Sequence, residues 1–217
     1  MLDTKKLVYY YSYQSVIIII QIIISIITLC LLNHSIFRVL SLLSMLYCIG
    51  FLRRPITKID TFIILNKIYL IAVIVIGLAI GEFIKRPSLL IGIIIGVTVS
   101  DVLSFTNTRI GEKTTNSIVS RKNSLLEKLF IYANINGYNQ LLPILGVGDI
   151  IFYSLLVSSL YKINQDYLPQ SFFLLAFGAI INFFCILFTH KRIWYKGFPG
   201  TLGPAITFAI FILVYIT

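Results

Sequence analysis

The sequence predicts an all-α fold, a polytopic membrane protein of about seven transmembrane helices, and three observations carry that expectation. Hydrophobic residues make up 58% of the 217 and charged residues only 12%. A soluble domain has about 25% charged residues, so these could not clothe a water-facing globule. The apolar residues also gather into runs close to the roughly 17–25 that cross a bilayer as a helix. Finally, the basic residues fall mostly in alternate connections between those runs. A cytosolic enzyme, a disulfide-rich secreted scaffold and a disordered tail are all excluded.

The elements follow in order. Lys5 and Lys6 precede the first run, Val16–Leu32, as they would in a signal peptide. No small-residue cleavage site follows, so an uncleaved first helix is expected. Tyr9–Tyr13 suit the headgroup layer, where a ring buries while its hydroxyl stays wet. The turn Asn33–Ser35 leads to Ile36–Leu52, the basic loop Arg53–Lys67 to Ile68–Ile84, and the turn Lys85–Pro87 to Ser88–Phe105. After the polar stretch Thr106–Gln140 come Leu141–Leu160, Gln170–Leu187 and Thr201–Ile216. The chain thus reads as one membrane-embedded domain, 1–217: N-terminal helices over 1–87, two more over 88–160 around the loop 106–140, and C-terminal helices over 161–217. Cys30, Cys48 and Cys185 lie inside apolar runs without close spacing and read as small buried hydrophobes.

A net charge of +10 could signal nucleic acid, but its distribution says otherwise. With seven spans, 14 of the 18 basic residues fall with the N-terminus and the loops after spans two, four and six. The other four are Arg38, Lys85, Arg86 and Lys162. The positive-inside rule then puts the N-terminus in the cytoplasm and the C-terminus outside a cell membrane crossed several times. The expected partner of the basic side is the lipid bilayer, and no nucleic acid.

Only eight residues are acidic. Asp3, Asp60, Glu112, Glu127 and Asp166 lie in tails or loops, and Glu82 near the outer end of span three. Asp101 and Asp149 alone fall well within apolar runs, where a carboxylate costs about 2.5–3.5 kcal/mol on insertion scales and marks function by default. Continuous helices would place both roughly 7–12 Å below the cytoplasmic edge, on consecutive antiparallel spans. Each has a plainer reading alone. Asp101 could end a helix in the polar stretch Thr98–Ser104, and Asp149, near Pro143, Gly146 and Gly148, could mark a helix break. The shared depth favours a pair.

Two close carboxyls in a low-dielectric site share one proton. The ionised one can activate water while the protonated one donates to a carbonyl oxygen, the logic of aspartic proteases. Glycines beside Asp149 would let a substrate backbone approach. No metal or organic cofactor is implied, since no His-Glu-x-x-His occurs and His34 and His190 sit at span edges on opposite sides. A Gly-x-Ser-x-Gly nucleophile is also absent. The rival from another class is a proton-coupled transporter, in which Asp101 and Asp149 would relay protons. Both acids sit towards one side, which favours hydrolysis.

The residues around the acids resemble the presenilin-type intramembrane aspartyl proteases. Gly146-Val147-Gly148-Asp149 matches their Gly-x-Gly-Asp signature, and Ile150–Val157 is similar to the stretch that follows it. Pro204-Ala205-Ile206 resembles the family's Pro-Ala-Leu motif, and Asp101–Phe105 the segment after the first catalytic Asp of archaeal homologues. The resemblance covers about the last 130 residues. It implies a presenilin-like helical bundle that cleaves transmembrane-helix substrates. Asp101 and Asp149 would be catalytic, and Gly146, Gly148, Pro204, Ala205 and Ile206 would bind substrate.

There are departures. Ser100 stands where the family usually has Tyr, Ile144 where presenilins carry Lys, and seven spans where the family has nine. Prepilin and preflagellin peptidases share Gly-x-Gly-Asp but lack the Phe-Tyr-Ser continuation and the late Pro-Ala-x. Signal peptide peptidases run the opposite way through the membrane. The Gly/Pro-rich segment Gly197–Pro204 would give a flexible approach to the site, and Ser124–Tyr132 reads as a short amphipathic interfacial helix.

Overall fold

The computed structural model describes residues 4–53, 59–104, 129–134, 141–189 and 200–216. These are mostly helical. The helices are α1 (Thr4–Ile26), prolonged by a π-helical turn over Ile27–Leu31, α2 (His34–Arg53), α3 (Ile59–Gly81) and α4 (Pro87–Ser104). After the strands β1 (Phe130–Asn134) and β2 (Leu141–Gly146) come α5 (Val147–Ile163), α6 (Leu168–Thr189) and α7 (Leu202–Tyr215). Among the described residues, four segments are long and apolar enough to cross a membrane: Tyr11–Leu31, His34–Arg53, Thr61–Gly81 and Gln165–Phe188. Large apolar side chains such as Leu46, Leu42 and Phe173 stand exposed on them. Such surfaces suit lipid rather than water and are consistent with membrane association.

Local chemistry sets the ends. Asn33 Oδ1 accepts the Ser35 N–H and Asn33 O the Phe37 N–H, starting α2. Pro87 opens α4, where its missing N–H costs nothing.

The chain divides into two compact units. The first comprises Leu2–Phe83 and Ser124–Ser158; the second comprises Ile84–Asn123 and Ser159–Thr217. In the first, Phe51 of α2 stacks on Tyr69 of α3 with ring centroids 4.5 Å apart. The Tyr47 hydroxyl donates to the Leu65 carbonyl at 2.9 Å. Asn66 of α3 is almost wholly buried and binds β1 through both ends of its amide. Its Nδ2 donates to Phe130 O at 3.1 Å, and its Oδ1 accepts the Tyr132 N–H at 2.9 Å. In the second, α7 packs along α6 and α4. Tyr167, just before α6, meets Phe211 edge to face, centroids 5.4 Å apart.

Two expectations need correction. Leu141–Leu160 is not one helix: residues 141–146 form β2, antiparallel to β1, and the helix begins at Val147. A short apolar run cannot be told from a strand by periodicity, and Pro143 pushes Leu142 away from helical geometry. The register skips Ile144, since Ile131 pairs with Leu145 and Tyr132 with Pro143. Proline is tolerated beside such a bulge. The described residues are therefore mostly helical, consistent with an all-α membrane protein, with one small two-stranded antiparallel sheet. Likewise Phe130–Tyr132 is strand and not the end of an amphipathic helix. Residues 124–128 of that expected helix, most of the loop 106–140, His190 and residues 197–199 of the Gly/Pro segment lie outside the described residues.

Candidate active site

Asp101 lies three residues before the last described residue of α4. Its half-buried carboxylate is met by a residue one hundred positions away. The Thr201 hydroxyl donates to Asp101 Oδ2 at 2.6 Å, and the Thr201 N–H reaches the same oxygen at 3.3 Å. Thr201 immediately precedes α7 and is 3% exposed. A threonine in that position usually turns its hydroxyl onto its own helix. Here it makes no such cap and serves Asp101 instead, while its carbonyl accepts the Ala205 N–H that opens α7.

The capping falls to Asn182, on α6. Its Oδ1 accepts the Gly203 N–H at 2.7 Å and its Nδ2 donates to the Gly200 carbonyl. One turn earlier on α6, Gly178 lets the backbones touch. A Cβ there would lie 2.5 Å from both N and Cα of Pro204, and a Cβ on Gly203 would strike the Gly178 carbonyl oxygen. Asn182 and Gly178 thus seat the start of α7, and α7 in turn supplies Thr201 to Asp101.

Within the Pro-Ala-x motif, Pro204 and Ala205 are buried in this packing, whereas Ile206 is 40% exposed and faces outward. The Thr207 hydroxyl donates to Leu174 O of α6 at 2.9 Å, closing the same seam.

Asp149 is housed differently. It lies in the first turn of α5, not eight residues into a span, so the depth expected from a helix starting at Leu141 does not hold for it. Its Oδ2 accepts the Gly146 N–H at 3.3 Å, three residues back. This is the return half of a capping box, with the carboxylate among the unpaired donors of a helix start. A Cβ on Gly146 would come 3.0 Å from Asp149 Oδ2, whereas one on Gly148 would meet nothing within 4 Å. Gly148 is exposed, so glycine is required there by no contact within the fold.

The structure thus brings Asp101 together with the Thr201–Ile206 segment in one unit, and Asp149 together with Gly146 and Gly148 in the other. Sequence reasoning missed Thr201, Asn182 and Gly178. Asn182 left a signal, as an amide inside an apolar run that must find a partner. Thr201 left none, because its partner is tertiary.

No protein-family model matches the chain, and neither does any curated protein or any solved structure. What each acid can do rests on its own chemistry: in one unit a carboxylate bonded to a hydroxyl, in the other a carboxylate bonded to a helix start.

Proposed function

We propose that the chain is an intramembrane aspartyl protease of presenilin type, which hydrolyses peptide bonds within or beside transmembrane helices. The observation that carries this reading is the Asp101–Thr201 hydrogen bond. It joins the first acid to the start of the helix bearing Pro204-Ala205-Ile206, two segments that the resemblance requires to be neighbours. The Gly146–Asp149 cap adds support, because it orients the second acid through its own signature.

Asp101 and Asp149 act as one pair. The ionised carboxylate takes a proton from water as the oxygen attacks the peptide carbon, and the protonated partner donates to the carbonyl oxygen. The tetrahedral species then breaks its C–N bond: one of its hydroxyls returns a proton to the now ionised carboxylate as the carbonyl re-forms, and the departing nitrogen takes a proton from the other carboxyl. The open space at Gly148 leaves room for a substrate backbone, and Ile206 is the exposed member of its motif. In this reading α4, α5 and α7 join the four longer segments as shorter spans, giving seven. The N-terminus is cytoplasmic, the C-terminus outside, and the substrate is a single transmembrane helix that unwinds locally. No cofactor takes part.

The test uses purified protein in lipid vesicles with a single-span substrate tagged at both ends. Wild type should release two fragments, and Asp101→Ala and Asp149→Ala should release none. Cleavage unchanged in either variant sinks the proposal. So does proton-coupled uptake that both variants abolish while no fragment forms, which would identify a transporter.

A further inference from the structure

The first three helices carry no recognisable chemistry in the sequence, yet α1 contains one fully buried amide. Gln21 is 0% exposed. Burying an amide is costly unless its groups find partners. Gln21 Nε2 donates to the Ile150 carbonyl at 3.1 Å and to Ser154 Oγ at 2.8 Å, one turn apart on α5. Ile150 is the residue after Asp149.

The orientation of the amide is determined, since turning it over would set Oε1 against the Ile150 carbonyl oxygen. Among the described residues Gln21 Oε1 itself has no hydrogen-bond partner. An apolar side chain of that size would fill the place without leaving a buried oxygen unpaired. The grip on α5 is what the amide alone provides.

A second helix supplies the surface against which α5 is held. Gly77 and Gly81 of α3 have the spacing of a small-x-x-x-small seam, where backbones pack closely. A Cβ at Gly77 would lie 2.6 Å from both Ile151 O and Ser154 Cβ. At Gly81 it would lie 2.6 Å from Ser158 Cβ and 2.7 Å from Leu155 O. The α5 turn that follows Asp149 is thus pressed on α3 and hydrogen-bonded to α1.

We propose that Gln21 is a positioning residue: it fixes the rotation of the Ile150–Ser154 turn on α3 and so aims the Asp149 carboxyl. The catalytic consequence rests on the protease reading; the positioning does not. Gln21→Met keeps the side-chain length and loses the amide, and Ser154→Ala removes one of the two acceptors while perturbing the fold least. In both, backbone amide exchange over residues 148–154 should quicken about tenfold while that of α6 is unchanged. Where cleavage is observed, kcat should fall about tenfold or more with KM unaltered, as expected when a reacting group is misplaced by a fraction of an ångström.

Unaltered exchange in both variants overturns the proposal, as does a change confined to KM. Should Gln21→Met not fold, Ser154→Ala decides alone. Quickened exchange in a wild-type background that cleaves nothing upholds the positioning role and refutes the protease reading, so the two stand or fall separately.

Discussion

Asp101 and Asp149 are the same residue in an equally apolar chain, yet the fold satisfies them by opposite means. Asp149 is bonded within its own helix start, to an N–H three residues away. Asp101 depends on Thr201, brought from the far end of the chain by α7, which is itself seated by Asn182 and Gly178 of α6. The Gly146–Asp149 bond is made within one helix start, whereas the Thr201–Asp101 bond is made across tertiary packing. Damage to the α6–α7 seam should therefore reach Asp101 while leaving the Gly146–Asp149 bond in place.

The largest expected effect ignores this difference. Asp101→Asn and Asp149→Asn should each lower cleavage by about a thousandfold or more, because each removes a group that transfers a proton in the proposed mechanism. Unequal losses, with one variant within tenfold of wild type, would break the symmetry of the pair.

Next comes Gly203→Ala, whose methyl would collide with the Gly178 carbonyl and Asn182. It should destabilise the α6–α7 seam by about 1–3 kcal/mol, read as a lowered unfolding midpoint of the solubilised protein. Amide exchange around Gly146–Asp149 should stay unchanged, and loosening there would erase the contrast between tertiary and local placement. Thr201→Val then removes only the hydroxyl donor to Asp101, a bond worth about 1.5 kcal/mol or more to a charged group. Cleavage should fall about tenfold, and Thr201→Ser should restore it. The smallest effect belongs to Gly148→Ala, which meets nothing within 4 Å. Its unfolding midpoint should shift by no more than about 0.5 kcal/mol would produce.

The sequence discloses these features unevenly. The long helices are legible because hydropathy is a sum over many residues, and α2 and α6 fall within a few positions of the runs Ile36–Leu52 and Gln170–Leu187. The hairpin is not, since β2 needs β1 as partner and an apolar stretch of six residues looks the same as helix or strand. Pro143 was the visible warning.

At the site, the two acids stand out because so few carboxylates exist in the chain. Their partners do not. Gln21 and Asn182 are single amides in apolar helices, so each announces that a partner exists without naming it, while Thr201 gains its role only through contact with Asp101. Gly146 and Gly148 look alike in the motif, yet only Gly146 sits against the Asp149 carboxylate.

In the proposed mechanism the two carboxyls work as a pair, one ionised and one protonated. The pH dependence of kcat for cleavage of a single-span substrate tests it most directly. A bell is expected: activity is lost in acid as the base takes up its proton, and lost again at higher pH as the acid ionises. A wild-type rate that is flat across the acidic limb, or a bell that persists in Asp101→Asn or Asp149→Asn, would contradict it.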